Sequence, residues 1–139
     1  MLRLVTAATA EPVSLIEAKA HLNVDLPDND ALIGAMVSAA REIVEQQTGR
    51  SLAVAGYLWE PVGECISPLP LEPATVTSED GVRPLAFTTA PDVVPAALKA
   101  AILLLVGDMY VNRSASKDDR LQRNEILAKL VFPYKRVLP

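Results

Sequence analysis

The chain has 139 residues, of which half are apolar and 22% are charged, a composition typical of a folded globular domain and not of a disordered segment. The net charge of −4 argues against a domain that wraps nucleic acid, because such domains are usually basic. The single cysteine, Cys65, excludes an internal disulfide and a cysteine-based zinc site.

The charge is distributed unevenly along the chain. Residues 1–112 carry 6 basic and 14 acidic side chains, whereas residues 113–139, here called the C-terminal arm, carry 7 basic and 3 acidic ones. An acidic body with a basic arm indicates either an arm that docks on a negatively charged partner or a solvated helix with a frayed tail. At the other end, the apolar stretch from Met1 to Val5 is short and interrupted by Arg3, so it predicts no signal peptide and synthesis in the cytoplasm.

Residues 12–50 predict a pair of helices. Ser14 and Glu17 form a capping box that opens a short helix ending near Leu22. Leu26-Pro27 then breaks the helix, and Asp28 or Asn29 is the expected cap of a long helix that stops at Gly49. The apolar stripe of this second helix has helical spacing and contains Leu32, Ile33, Met36, Val37, Ala40, Ile43 and Val44. Arg41 and Glu45 are expected to pair on its outer face.

Residues 51–94 predict a small, irregular β insertion with three or four short strands. Tyr57 to Val62 alternates in polarity, and two further stretches with β character, 75–77 and 82–88, flank a turn signal at Ser78-Glu79-Asp80-Gly81. Five prolines between residues 61 and 84 confine these strands to edges or short ribbons.

A second long helix is expected over residues 95–112, beginning at Pro95. Its centre is apolar on every side, but Lys99 and Asp108 bracket fewer residues than the ~20 that a membrane span needs. The pattern therefore predicts a central helix that packs on its own core with one face and meets either solvent or a neighbouring subunit with the other. Asp118 or Asp119 is expected to cap a last helix, which ends at Pro133 and leaves a tail from Tyr134 to Pro139.

The search for chemistry yields no active site, no cofactor site and no metal site. His21 is the only histidine, and a nucleophilic pair with Cys65 would need a third, orienting group. Asp25, Asp28 and Asp30 lack the glycine and the distal glutamate of a calcium loop. The glycines are isolated and form no phosphate-binding loop. The sequence thus predicts a protein that is not an enzyme.

Three stretches in order resemble the head–tail connector (adaptor) proteins of tailed phages. The first is Pro12-Val13-Ser14-Leu15-Ile16-Glu17-Ala18-Lys19-Ala20-His21-Leu22, with Asp28 to Ile33 and Ala39 to Arg50 after it. The second runs from Pro91 to Val106 and on to Arg113, and the third is the closing Pro133-Tyr134-Lys135-Arg136. The middle region, residues 51–90, departs most from the family pattern.

This resemblance implies a single connector domain over residues 1–139, mainly α, with a small β insertion and a structural role in the virion neck. It implies a ring, with a dodecamer expected, that sits under the portal protein, extends the DNA channel and offers a platform to the next neck (stopper) or tail-completion protein. DNA is expected to pass without specific binding, and no membrane is involved. The expected portal-docking residues are Tyr134, Lys135, Arg136, Val137 and Leu138, and the expected ring-packing residues are Leu98, Ile102, Leu105 and Met109.

A second reading of the sequence stays open. The basic C-terminal segment is also compatible with a small helical regulatory or nucleic-acid-binding domain. A salt-dependent DNA-binding assay separates that function from a connector, which is expected to co-purify with portal protein.

Overall fold

The computed structural model of the chain describes residues 2–63, 68–79, 83–111 and 125–136. Its helices are α1 (Leu15–Leu22), α2 (Asp30–Thr48), α3 (Ala96–Val111) and α4 (Glu125–Val131). Its strands are β1 (Leu2–Thr6), β2 (Gly56–Trp59), β3 (Ala74–Val76) and β4 (Leu85–Thr89). The mainly α fold class with a small sheet is therefore confirmed.

The N-terminal helical pair forms where the sequence predicts it. Ser14 is the N-cap of α1, and its hydroxyl accepts a hydrogen bond from the backbone N–H of Glu17 at 3.1 Å. The helix ends at Asn23, which adopts the left-handed conformation. A 3-10 turn over Pro27–Asn29 connects the two helices as an elbow. Helix α2 stops at Gly49, whose φ of 71° lies in the left-handed region that glycine adopts most readily.

Two details of α2 differ from the prediction. Asn29 occupies the N-cap position, but its side chain makes no capping hydrogen bond, while Asp28 lies within the 3-10 turn. Leu32, predicted in the apolar stripe, is 41% exposed, because the stripe that faces the core begins one residue later, at the fully buried Ile33. The buried face continues through Met36, Val37, Ala40 and Val44.

In the part of the chain that the structure describes, the sheet has four antiparallel strands in the order β1-β2-β4-β3. Strands β2, β3 and β4 come from the predicted insertion, and β3 and β4 pair as the two arms of the predicted hairpin; part of its turn, residues 80–82, lies outside the described residues. Strand β1 was not predicted. It forms because Leu2 to Leu4 pair with Leu58 and its neighbours, which places the N-terminal segment on an edge of the sheet.

The buried apolar side chains of the described residues form two clusters. The larger joins the helices and contains Val13, Ala18, Ile33, Met36, Val37, Ala40, Val44, Leu52, Leu98, Ala101, Ile102, Val106 and Val131. The smaller lies on the sheet around Phe87, whose ring stacks on that of Tyr57 with centroids 5.5 Å apart. The helices therefore carry most of the core, and the sheet adds a second layer with its own apolar centre.

Helix α3 is the central element, as predicted, and packs against α2, α1 and α4. Leu98, Ala101, Ile102 and Val106 are buried along it. It approaches α1 closely at Gly107, where an added Cβ would lie 3.4 Å from Nε2 of His21. Within the part of the chain that the structure describes, no helix has the length and apolarity to cross a membrane.

Candidate functional site

Among the described residues, side chains that could perform chemistry do not converge on one site. No cluster of three or more potential metal ligands exists among the described residues. The carboxylate of Asp30, the first residue of α2, lies 2.8 Å from the ammonium group of Lys19 and forms an ion pair between α1 and α2. His21 is exposed at the end of α1, and Cys65 lies outside the described residues.

The most unusual electrostatic feature is a buried charge cluster formed by Glu11, Arg41 and Glu45. Nε of Arg41 donates to Glu11 at 2.6 Å, and its NH1 donates to Glu45 at 2.9 Å. The other oxygen of Glu45 accepts the backbone N–H of Leu52 at 2.9 Å. Arg41 and Glu45 do pair, but their residues are only 3% and 2% exposed, so the expected position on the outer face of α2 is wrong.

The electrostatics of this cluster follow from its burial. Burial raises the pKa of the Glu45 carboxyl, and the hydrogen bond from Leu52 and the charge of Arg41 offset only part of that effect. Burial opposes the charge of Arg41, but the negative charges of Glu45 and Glu11 outweigh it and raise the pKa of the guanidinium. Burial, followed by the charge of Glu45, also raises the pKa of Tyr57. The cluster ties the segment before α1, α2 and the loop after α2 together, which is a structural role.

The beginning of the predicted portal-docking tail is attached to the body of the protein. The backbone N–H of Arg136 donates to the carbonyl of Thr48 at 2.8 Å, and its guanidinium donates to the carbonyl of Gly49 at 2.6 Å. The same guanidinium pairs with Glu72 at 3.1 Å. Arg136 therefore caps the C-terminal end of α2 and is not available as a free docking charge.

Tyr134 also faces the protein. It packs against the helical core, its carbonyl accepts a hydrogen bond from Nε of Arg50 at 2.9 Å, and the Arg50 guanidinium lies 5.8 Å from the centre of its ring. By contrast, Lys135 and Phe132 are exposed, and Phe132 is 73% accessible. Val137 and Leu138 lie outside the described residues. The arm thus has an inward face, Tyr134 and Arg136, and an outward face, Phe132 and Lys135.

The predicted ring-packing residues also divide into two groups. Leu98 and Ile102 are fully buried in the protomer's own helical core. Their side chains therefore cannot contact a neighbouring subunit, and this part of the prediction needs correction. Burying such a side chain stabilises a fold by about 1.5–3 kcal/mol, which accounts for their position. Leu105 and Met109 are only partly buried, and their contact with a neighbouring subunit stays a prediction.

One surface feature was missed by sequence reasoning. An apolar groove of about 430 Å³ lies between β1, β2, α2 and the segment before β3, and is lined in part by Leu2, Leu4, Glu42, Tyr57, Pro70 and Leu71. The alternation of apolar residues in Leu2-Arg3-Leu4 was the available signal for β1. The sequence carried no signal for the groove itself, because its walls come from four separate parts of the chain.

Comparison with known proteins identifies the family. The profile of the family described as "Phage gp6-like head-tail connector protein" matches residues 12–134, which is most of the chain. The chain belongs to the phage gp6-like head–tail connector family. This confirms the resemblance seen in the sequence, and because the family consists of structural connectors, it also confirms that the protein is not an enzyme.

Solved structures show the same fold at low sequence identity. The chain is similar to gp6 of bacteriophage HK97 with a TM-score of 0.55 and 20% identity, over 89% of this chain and 93% of that one. It is similar to a chain in the virion of a native gene transfer agent particle with a TM-score of 0.68 and 18% identity, over 99% and 97% of the two chains. A chain in the neck of an empty gene transfer agent particle gives a TM-score of 0.68, 21% identity and the same coverages. No curated protein matches the sequence.

Proposed function

We propose that this connector is a structural adaptor of the neck of a phage or phage-like particle, acting as one domain over residues 1–139. It forms a ring under the portal protein, extends the DNA channel and presents a platform to the next neck or tail protein. The family match over residues 12–134 carries this proposal. The similarity to a chain from a particle neck supports it. The match favours this function over a regulatory or nucleic-acid-binding domain.

The charge distribution is suited to a DNA channel. DNA is a dense polyanion, and a protein that neutralises its phosphates binds it regardless of sequence. Residues 1–112 carry an excess of 8 acidic side chains, so a wall built from them allows DNA to slide without being held. Binding of DNA by the connector is not required for this function.

A ring made of identical subunits needs two different surfaces on each subunit, because the contact between neighbours is heterologous. On α3, the partly exposed Leu105 and Met109 are our candidates for one of them. Around the elbow, exposed apolar side chains are candidates for the other: Ile16, Leu26 and Leu32 are 81%, 66% and 41% accessible.

The portal-docking surface that we propose is the outward face of the C-terminal arm. Lys135 and Phe132 are exposed there, and Val137 and Leu138, which follow, complete the docking element predicted from sequence. Tyr134 and Arg136 contribute indirectly, because they fix the arm to α2 and to the loop before β3. Apolar side chains are expected to supply most of the affinity, and the exposed charge mainly steers and orients the encounter.

Two neighbouring substitutions test this assignment. Lys135→Glu reverses an exposed charge and should weaken joining to portal-bearing heads by about fivefold at low salt, less at high salt, with an unchanged melting temperature. Arg136→Glu is the matched control, because it removes an ion pair and two hydrogen bonds to the body and should lower the melting temperature. Co-sedimentation with heads and thermal melts measure both effects. Wild-type joining by the Lys135 variant would place the docking surface elsewhere on the protein.

A further inference from the structure

Apolar side chains are exposed around the elbow between α1 and α2. Ile16, Leu26 and Leu32 are 81%, 66% and 41% accessible. The ion pair of Lys19 with Asp30 holds the first turn of α2 against α1, and Ile16 lies one helical turn before Lys19 on the same side of α1. The same region exposes three acidic residues, Glu17, Asp25 and Asp28. We call this apolar and acidic surface the elbow patch.

A second exposed surface carries the opposite charge and lies on α4. Ile126 is 62% accessible and Lys129 is exposed, and because they are three residues apart they are neighbours on one side of the helix. The C-terminal arm, to which α4 belongs, carries 7 basic and 3 acidic side chains. We call Ile126 and Lys129 the α4 patch. The other side of α4 faces the helical core through Leu127, Leu130 and Val131.

The two patches do not cover each other within one chain, since the apolar residues of both are accessible. They also belong to parts of the subunit that are joined to opposite ends of α2. The elbow patch surrounds the first turn of this helix, whereas the arm is attached at its last residue, where the backbone N–H of Arg136 donates to the carbonyl of Thr48. A helix rises about 1.5 Å per residue, so the 19 residues of α2 span about 28 Å. A contact between the elbow patch of one chain and the α4 patch of another would join the chains head to tail.

The chemistry of the two patches is complementary. Each combines exposed apolar side chains with charge of one sign, negative at the elbow and positive at Lys129. Burial of the apolar residues favours association, and the opposite charges favour this pairing over others. Two elbow patches would bring like charges together, which disfavours a symmetric contact. A contact between two different surfaces is also the kind that closes into a ring.

We propose that the elbow patch of one subunit packs against the α4 patch of a second copy of this chain, with Leu26 against Ile126 and Asp28 paired with Lys129. The proposal rests on the ring assembly proposed above and names its lateral contact. It makes the two ends of α2 the two sides of the subunit that meet its neighbours.

This contact is compatible with the other surfaces assigned above. Helix α4 packs on α3, which carries Leu105 and Met109, the other candidates for the same side of the subunit. Phe132 and Lys135 lie further along the arm and stay with the portal. One arm can therefore contact a neighbouring subunit through α4 and the portal through the residues that follow it.

Two single-cysteine proteins test the contact in the full-length chain. In a Cys65→Ser background, one protein carries Leu26→Cys, and the other carries Ile126→Cys and a tag that changes its mobility on a gel. They are mixed at about 1 mM, where even a contact of millimolar affinity is populated, and are mildly oxidised. A disulfide requires two Cα atoms within about 7 Å, so mixed dimers should form readily. Val62→Cys, at a position that is 99% accessible, replaces Leu26→Cys in the matched control and should give mixed dimers about tenfold more slowly.

Each result of the crosslinking decides the matter. Mixed dimers of the Leu26 and Ile126 variants in excess over the control support the proposal. Mixed dimers at the rate of the control overturn it. Homodimers of either variant as the main product would mean a symmetric contact and overturn it as well. Leu26 and Ile126 are both exposed, so the variants should fold, and far-ultraviolet circular dichroism checks that they do.

Charge reversal tests the ion pair within the contact. Lys129→Glu in the Ile126→Cys protein should slow the formation of mixed dimers by about fivefold, and adding Asp28→Lys to the Leu26→Cys protein should restore the rate. Lys135→Glu is the matched control, because it changes the net charge equally and should leave the rate unchanged. An equal effect of Lys129→Glu and Lys135→Glu, or no recovery with Asp28→Lys, would overturn the pairing of Asp28 with Lys129.

A final experiment separates this contact from the proposed function. A chain with both Leu26→Cys and Ile126→Cys is added to portal-bearing heads under reducing conditions and is then oxidised. A ladder of crosslinked multimers is expected on the heads. Heads that acquire the chain without a ladder would leave the connector function standing and contradict the lateral contact. A chain that forms mixed dimers in solution but fails to join heads, with or without the substitutions, would contradict the connector function while the crosslinks still support the contact.

Discussion

Arg41 is the residue on which the connection between the helices and the loop after α2 depends most. Its guanidinium neutralises both Glu11 and Glu45, and the second of these carboxylates is almost completely buried. Removing one partner of a buried ion pair is far more destabilising than the net value of the pair, because the remaining charge stays in a medium of low polarity. The stability of the protein should therefore fall more on removal of Arg41 than on removal of either Glu11 or Glu45 alone.

Arg41→Ala should lower the free energy of unfolding by about 3–5 kcal/mol near pH 7. The matched control is Glu42→Ala, which removes a half-exposed carboxylate 3.8 Å from the same guanidinium. An exposed pair of this kind contributes at most about 1 kcal/mol, so the control should be nearly neutral. Urea unfolding curves measure both. A loss in the Arg41 variant no larger than in the control would contradict the structural role of the cluster.

The deficit of the Arg41 variant should also depend on pH. Burial raises the pKa of Glu45 above its ordinary value of 4.5. A group whose pKa is raised on folding favours the folded state fully below its unfolded pKa, and that contribution is lost as the pH rises through the folded pKa. Because the raised pKa favours the neutral carboxyl, which needs no charged partner, the difference from wild type should shrink as the pH falls from about 7 to about 4. A difference that is independent of pH would show that Glu45 is not the group left uncompensated.

The helices were predictable because their sequence signals are local. Ser14 with Glu17, Pro95 and Gly49 each fix a helix end through the chemistry of one or two residues. Strand β1 was missed because it exists only through pairing with β2, more than fifty residues further along the chain. The burial of Arg41 was missed for a similar reason. The spacing of Arg41 and Glu45 predicts an ion pair, but Glu11, whose second negative charge compensates for the burial of the guanidinium, is 30 residues away.

The inward face of the C-terminal arm illustrates the same limit. Composition indicates that residues 113–139 are basic, and a tail of apolar and basic residues resembles a docking element. Composition does not reveal that the Arg136 guanidinium donates a hydrogen bond to the carbonyl of Gly49 at the end of α2. These two residues are 87 positions apart. The sequence therefore predicted the arm and its charge, while the tertiary contacts decide which of its residues can meet a partner.

The N-cap of α1 allows a test of these local signals. Ser14→Ala should destabilise the protein by about 1 kcal/mol, because the backbone N–H of Glu17 loses its acceptor. Ser14→Asp is the control, since an aspartate retains an acceptor and suits the N-terminus of a helix. Thermal melts should show a lower midpoint for alanine and a midpoint near wild type for aspartate. Equal midpoints for all three proteins would mean that the cap contributes nothing to stability.

The subunit combines a well-buried helical core with exposed apolar side chains on its surface. Leu98 and Ile102 are fully buried in the protomer's own core, whereas apolar side chains at the elbow, on β1 and on the arm are exposed among the described residues. Such surfaces suit an assembly formed on a template. We therefore expect the isolated chain to be a monomer or an unstable small oligomer, and we expect the ring to assemble only on the portal.

Electron microscopy of portal-bearing heads that lack their own connector, after incubation with the purified chain, tests the proposed connector function. We expect a ring of new density under the portal, coaxial with the DNA channel. We also expect sedimentation at micromolar concentration to show the chain alone as a monomer or a small, dissociating oligomer. Heads without added density at the portal would contradict the connector function. A stable closed ring of the chain alone would contradict assembly on the portal.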